Sequence, residues 1–278
     1  TSAPKLPATD IASYCYNSMF NWCRYLKNAP ELPATVLKDQ CYQNMFNACV
    51  SLTSAPKLPA TKLAFNCYAN MFSYCYWLKE APELPATTLA EQCYMDMFAY
   101  CYFTKAPKLP ATELKPRCYN GMFSYCTKLT EAPELPATKL AEYSYTLMFA
   151  GCTALTKAPK LAPAETLATS CYRLMFDGCT KLTDGPELKA TTLAESCYEY
   201  MFNGCSKLAS VSMLVPSTAI ESTKKCVTGW LQNAGTSATS RKLKLLDKNA
   251  YDATKAQLPT EWQIGNCTVL DNAGNEIK

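Results

Sequence analysis

The sequence predicts an α/β repeat solenoid, built of short strands and short 3₁₀ or α-helical turns and closed by a small α+β cap. Three observations lead there. First, the pair Met-Phe recurs eight times, from Met19-Phe20 to Met201-Phe202, at intervals of 26, 26, 26, 25, 26, 27 and 26 residues. Second, each pair sits in one recurring run, seen in Ala81-Pro82-Glu83-Leu84-Pro85-Ala86-Thr87-Thr88-Leu89-Ala90, then Cys93-Tyr94, Met97-Phe98 and Cys101. Third, the pattern stops near Leu208. Self-similarity at such a period marks units that bury their apolar faces only against their neighbours. Residues 1–208 are expected to form a solenoid of eight repeats, and 209–278 a C-terminal capping region that covers the last apolar face and strand edge. The chain begins in mid-repeat at Ala3-Pro4-Lys5-Leu6-Pro7, which reads as a trimmed terminus lacking its targeting information.

Within one repeat, Leu129-Thr130-Glu131-Ala132 is short and extended and ends at Pro133. Proline cannot donate to a strand ladder, so any parallel strand is expected to stop there. Ala132-Pro133-Glu134-Leu135-Pro136 then reads as a polyproline-like arm, each proline pushing its predecessor to extended angles. Leu140, Ser144, Met148 and Cys152 follow at spacing four, the pattern of one face of a short helical turn. In the cap, Glu221 to Asn233 reads as a helix stopped by Gly235, Lys242-Leu243-Lys244-Leu245 and Gln263 to Leu270 as strands, and Asp271 to Asn275 as a turn.

Seventeen cysteines would suggest a disulfide framework in a secreted chain, but their placement argues otherwise. Eight fall in one column (Cys23, Cys49, Cys75, Cys101, Cys126, Cys152, Cys179, Cys205) and seven in another (Cys15, Cys41, Cys67, Cys93, Cys118, Cys171, Cys197), whose missing member is Ser144. Serine replaces a packed thiol sterically but forms no disulfide, so both columns read as ladders of reduced, buried thiols. Cys226 and Cys267 lie outside these columns and could pair within the cap. The residue after each Ala-Pro or Gly-Pro alternates in sign through all eight repeats, from Lys5 and Glu31 to Lys160 and Glu187. Alternation turns a repulsive stripe into a neutral one if neighbours stack directly. An unbroken Tyr column, Tyr16 to Tyr198, reads as a stacked ladder with its hydroxyls on water or backbone.

Composition excludes several function classes. Histidine is absent, which removes the commonest general base and metal ligand. There is no Cys-x-x-Cys pair, phosphate loop or nucleophile elbow, so neither an enzyme nor a cofactor or metal is expected. The net charge of +4 comes from interspersed residues, without a nucleic-acid footprint, and no run is long enough for a membrane span. Binding is left, and the variable positions are where to seek it. Between Phe and the second Cys the early repeats carry Trp22, Ala48, Tyr74, Tyr100 and Tyr125, whereas later ones carry Gly151, Gly178 and Gly204. Just past that Cys lie Tyr25, Tyr76, Trp77 and Tyr102. Positions that accept Gly are not needed for the core, and Tyr and Trp are enriched at binding hot spots. Trp22, Tyr25, Tyr74, Tyr76, Trp77, Tyr100, Tyr102 and Tyr125 are therefore the candidate binding residues. Shielding of neighbouring apolar atoms is the other reading of these rings.

With the motif Leu-Pro-Ala-Thr-x-Leu-Ala-x-x-Cys-Tyr-x-x-Met-Phe-x-x-Cys-x-x-Leu in hand, the chain resembles the BspA-type leucine-rich-repeat proteins, which share an aromatic-x-x-Cys-x-x-Leu core such as Phe202-Asn203-Gly204-Cys205-Ser206-Lys207-Leu208. The resemblance spans all eight repeats; the Asn ladder of commoner leucine-rich repeats is lacking, and the Cys columns stand in its place. It implies a bacterial cell-surface or secreted protein, associated with adhesion to host or cell-surface proteins, and it carries no catalytic motif. A surface protein that binds carbohydrate through its aromatic strip is the alternative expectation.

Overall fold

The computed structural model describes residues 3–278; residues 1 and 2 of the expected repeat domain lie outside it. The repeats stack as a solenoid with one continuous core running from Leu6 to Ile277. Leu, Cys, Tyr, Met and Phe columns fill it, with Met45, Phe46, Cys41 and Cys49 and their counterparts in the later repeats inaccessible to solvent. The Tyr rings stack at 5.7–5.9 Å and the Phe rings at 5.5–5.8 Å, all within 10° of parallel. The shortened fourth repeat fits because Phe103, one residue early, fills the Leu position edge-on to Phe98 and Phe123.

The run from the first Cys to the second is not a helix. It is a ribbon of successive β-turns. Alternate N–H groups donate three residues back, as Cys41 to Lys38, Met45 to Tyr42 and Cys49 to Phe46. Those between them donate to the next repeat: Tyr42 to Cys67 O, Asn44 to Ala69 O, Phe46 to Met71 O and Ala48 to Ser73 O, at 2.8–3.0 Å. Every fourth residue, such as Gln40, Asn44 and Ala48, takes φ of 54–56°, as the central position of a type II turn requires. A spacing of four suits a helix and such a ribbon alike. The ribbon wins because it sends half of its donors across the stack.

Strand pairing is sparse in the early repeats, where isolated parallel bridges such as Asn28↔Ser54 and Lys105↔Glu131 stand for strands. A regular parallel sheet forms only toward the C-terminus, in the order β1 (Asp184–Leu188), β2 (Ser210–Met213), β3 (Lys242–Leu245), β4 (Thr268–Leu270). Contrary to expectation β1 passes through Pro186; its register with β2 shifts between Asp184 and Glu187, which lets the chain carry a residue with no N–H. Of the other proline arms, two meet in a parallel bridge at Leu135 and Leu161. A cleft of about 800 Å³ separates Thr53–Pro59 from Lys79–Pro85. The alternating Lys and Glu after the prolines accordingly form no cross-repeat ion pair among the described residues, whereas Lys105 and Glu131, just before them, meet at 3.2 Å.

In the cap, the stretch expected as a helix from Glu221 to Asn233 is one 3₁₀ turn, Ser222–Lys224, followed by a ninth copy of the turn ribbon. Lys225, Gly229 and Asn233 repeat the positive φ, and Cys226, Thr228, Trp230 and Gln232 accept the N–H groups of Tyr198, Tyr200, Phe202 and Gly204. Cys226 thus continues the first Cys column, and it and Cys267 are free thiols. Lys242–Leu245 is a strand as expected, but of Gln263–Leu270 only Thr268–Leu270 is one. The turn at Asp271–Asn275 closes through Asn275 N–H on the Asp271 carboxylate at 2.8 Å. The patterning did not suggest α1, Lys248–Thr254, although Asp247 caps it by accepting from Ala250 N–H at 2.8 Å.

Candidate binding surface

The two Cys columns do different work. In the second, each thiol donates to the Phe carbonyl of the preceding repeat, from Cys49 on Phe20 to Cys205 on Phe176, at 3.0–3.2 Å. The first packs as small hydrophobe, and there Ser144 leaves a buried hydroxyl without a partner. All seventeen thiols are free. Burial raises those inside the array: Cys41 is pushed up to about 11 and Cys49 to about 12. They are protonated and poor nucleophiles at neutral pH. Cys15 and Cys23, on the first repeat, depart from the expected burial and are exposed, since no described residue stacks on them. The Tyr column packs as expected, yet the hydroxyls of Tyr42 and Tyr94 are buried without a partner. Among the described residues no group of three or more potential ligands could hold a metal ion, and no helix is long and apolar enough to cross a membrane.

Four of the eight aromatic candidates occupy the third left-handed position of the ribbon, and Tyr25, Tyr76, Trp77 and Tyr102 lie just past the second Cys. Trp22, Tyr74, Tyr100 and Tyr125 have φ of 56–63°, and Gly151, Gly178 and Gly204 take φ of 69–72° at the same place. Glycine in the later repeats is therefore the residue this backbone favours, and each aromatic residue is held there at a cost of roughly 1–2 kcal/mol. Their rings form a second, exposed ladder. Tyr74 stacks on Tyr100 at 4.4 Å and Tyr100 on Tyr125 at 4.8 Å, closer than the rings of the core. Tyr76 stands edge-on to Tyr74 at 6.2 Å and lies against Tyr102 at 5.1 Å. The ladder ends where Tyr125 leans over Gly151, whose missing Cβ would sit 2.6 Å from its ring.

Trp22, Tyr25 and Trp77 are 60%, 82% and 71% exposed, so most of their apolar area faces water. The structure brings Trp22, Tyr74 and Tyr76 to one cleft, together with Arg24, Asn47, Ala48 and Val50. The Arg24 guanidinium lies 5.0 Å from the Trp22 ring centroid. Tyr25 lines a separate hollow beside Trp22, and Trp77 projects without a described ring contact. Sequence reasoning passed over Arg24 and Val50, although both occupy the column just after the second Cys, beside Tyr76 and Tyr102. Desolvation in the stack, then neighbouring hydroxyls, raise Tyr76 and Tyr100 above the ordinary phenol range.

No protein-family model matches the chain, and no curated protein does. A solved leucine-rich repeat protein from Bacteroides ovatus ATCC 8483 is similar to it at 16% identity and a TM-score of 0.41, over 96% of this chain and 90% of that one.

Proposed function

We propose that this protein is a non-enzymatic adhesion or interaction module, displayed on or secreted from a bacterial cell, that binds a host or cell-surface protein through the aromatic strip of its early repeats. One observation carries the reading: Trp22, Tyr74, Tyr100 and Tyr125 are held in left-handed backbone where the later repeats use glycine. Strain kept where the fold does not need it points to a role outside the fold. Large, stiff aromatic faces give contact area at little entropic loss, as protein-binding surfaces require. The absence of histidine and the protonated thiols of the array support a role without catalysis. Carbohydrate binding by the same strip is the second reading, favoured by the Asn47 amide and Arg24 guanidinium beside the exposed rings.

Pull-down from host extracellular proteins beside a glycan array separates the two. With a captured protein in hand, Tyr74→Ser, Trp77→Ser and Tyr100→Ser combined should abolish its binding and leave the melting temperature nearly unchanged. Undiminished binding would move the site to another face of the solenoid.

A further inference from the structure

The exposed ladder has a missing rung. In the second repeat all three columns of the strip drop to small side chains, Ala48, Val50 and Ser51, between Trp22, Arg24 and Tyr25 on one side and Tyr74, Tyr76 and Trp77 on the other. The result is a cleft of about 520 Å³, lined by Trp22 and Tyr74, by Ala48 and Val50 from the repeat between them, and by Arg24 and Tyr76. Rings in this column lean onto the following repeat, as Tyr125 does over Gly151. The space left at position 48 is therefore that of one ring between Trp22 and Tyr74. Tyr74, Tyr100 and Tyr125, at 4.4 and 4.8 Å, show that this spacing is filled by aromatic rings stacked face to face. The volume lies in the range of small-ligand sites, and among the described residues no acidic side chain lines the cleft while a guanidinium does.

Resting on the protein-binding reading, we infer that the cleft between Trp22 and Tyr74 is an anchor site for one aromatic side chain of the partner, flanked by a carboxylate that Arg24 receives. The inserted ring completes the ladder across Ala48 and stacks on both walls. Its own polar backbone can meet the Asn47 amide, which also lines the cleft. The carboxylate preference follows from charge: among the described residues Arg24 is the only charged one lining the cleft, and it is held over Trp22 rather than by a described acidic partner.

The test is a titration of the full chain carrying Trp77→Phe, which leaves Trp22 as the exposed indole because Trp230 and Trp262 are fully buried. The probes are N-acetylphenylalanine, its uncharged amide and N-acetylneuraminic acid, read by tryptophan fluorescence. N-acetylphenylalanine should bind saturably in the millimolar range and the amide about three-fold more weakly, the size of an exposed charge contact. Arg24→Gln should erase that difference. Ala48→Tyr, which places a ring in the gap at φ of 56°, the value Tyr125 adopts, should abolish binding. Tyr74→Gly, using the residue native to this column at Gly151, removes one wall in a chain that keeps its fold and should weaken binding at least ten-fold. No saturable response, retention of binding in both Ala48→Tyr and Tyr74→Gly, or tighter binding of N-acetylneuraminic acid than of N-acetylphenylalanine would overturn the assignment. If the probe fails while the triple serine variant still loses its partner, the strip stands without the anchor. If the probe binds while that variant keeps its partner, the cleft is a site and the strip is not the interface.

Discussion

The early and late repeats share a backbone and differ in what it carries. Trp22, Tyr74, Tyr100 and Tyr125 stand at φ of 56–63°, while Gly151, Gly178 and Gly204 hold the same turn at 69–72°. The core columns beneath do not change: Met97 and Phe98 are as inaccessible as Met175 and Phe176. At this one position of the turn ribbon, the early repeats spend side-chain strain on the surface and the late ones do not. The lesson is that surface identity here is uncoupled from the scaffold, so the two can be altered separately.

The sharpest contrast lies within a single repeat. Phe98→Ala removes a core ring stacked on both Phe72 and Phe123 and should destabilise by about 3–5 kcal/mol. Tyr100→Gly, two residues away, gives up two stacked neighbours but relieves a left-handed placement, and should stay within about 1 kcal/mol in denaturant melts. Comparable losses at the two positions would erase the distinction between core and strip.

The neighbouring left-handed column offers a pH test. Asp96, at φ 50°, projects over Gly121, where any Cβ would collide with its carboxylate, and burial pushes its pKa up to about 6. The folded chain holds this proton while the unfolded chain, near 3.8, releases it. Stability should therefore be highest at low pH and fall as pH rises from about 4 to about 6, by about 2 kcal/mol. Asp96→Asn should remove that slope, which denaturant midpoints across the window would reveal.

Installing the early character in the late half comes next. Gly178→Tyr meets only Gly151 nearby, so it has room, but it must accept φ of 69° without a tyrosine neighbour to stack on. A loss of about 1–2 kcal/mol is expected in thermal melts. Below that in size lies a gain. Ser144→Cys restores the first Cys column and removes a buried hydroxyl with no partner, and should raise stability by about 1 kcal/mol.

The period, the stacked columns and the reduced thiols were legible because each depends on residue type at fixed spacing, which eight copies make plain. The turn ribbon was not, because Leu140, Ser144, Met148 and Cys152 at spacing four satisfy a helix equally well. Its signature was nonetheless present in Asn44, Asn70 and Gly121, residues that tolerate positive φ, but Leu147, Leu174 and Tyr200 in the same column concealed it. In the cap, Gly229 and Asn233 mark the ninth ribbon in the same way, and Asp247 before Lys248 was the overlooked helix signal. The aromatic strip could be read from residue type at the variable positions of the repeat. The cleft at Ala48 could not, since it depends on the direction in which rings lean across repeats.

A binding surface must be dispensable to the fold, and the strip can be tested for that. The most direct measurement is the melting temperature of a chain carrying Tyr74→Gly, Tyr100→Gly and Tyr125→Gly together, giving the early repeats the late surface. Loss of two stacked pairs, about 0.5–1.5 kcal/mol each, is offset by three relieved left-handed residues at about 1–2 kcal/mol each. The melting temperature should stay within a few degrees of the parent or rise. A large, cooperative drop would assign the rings to packing and contradict the binding surface.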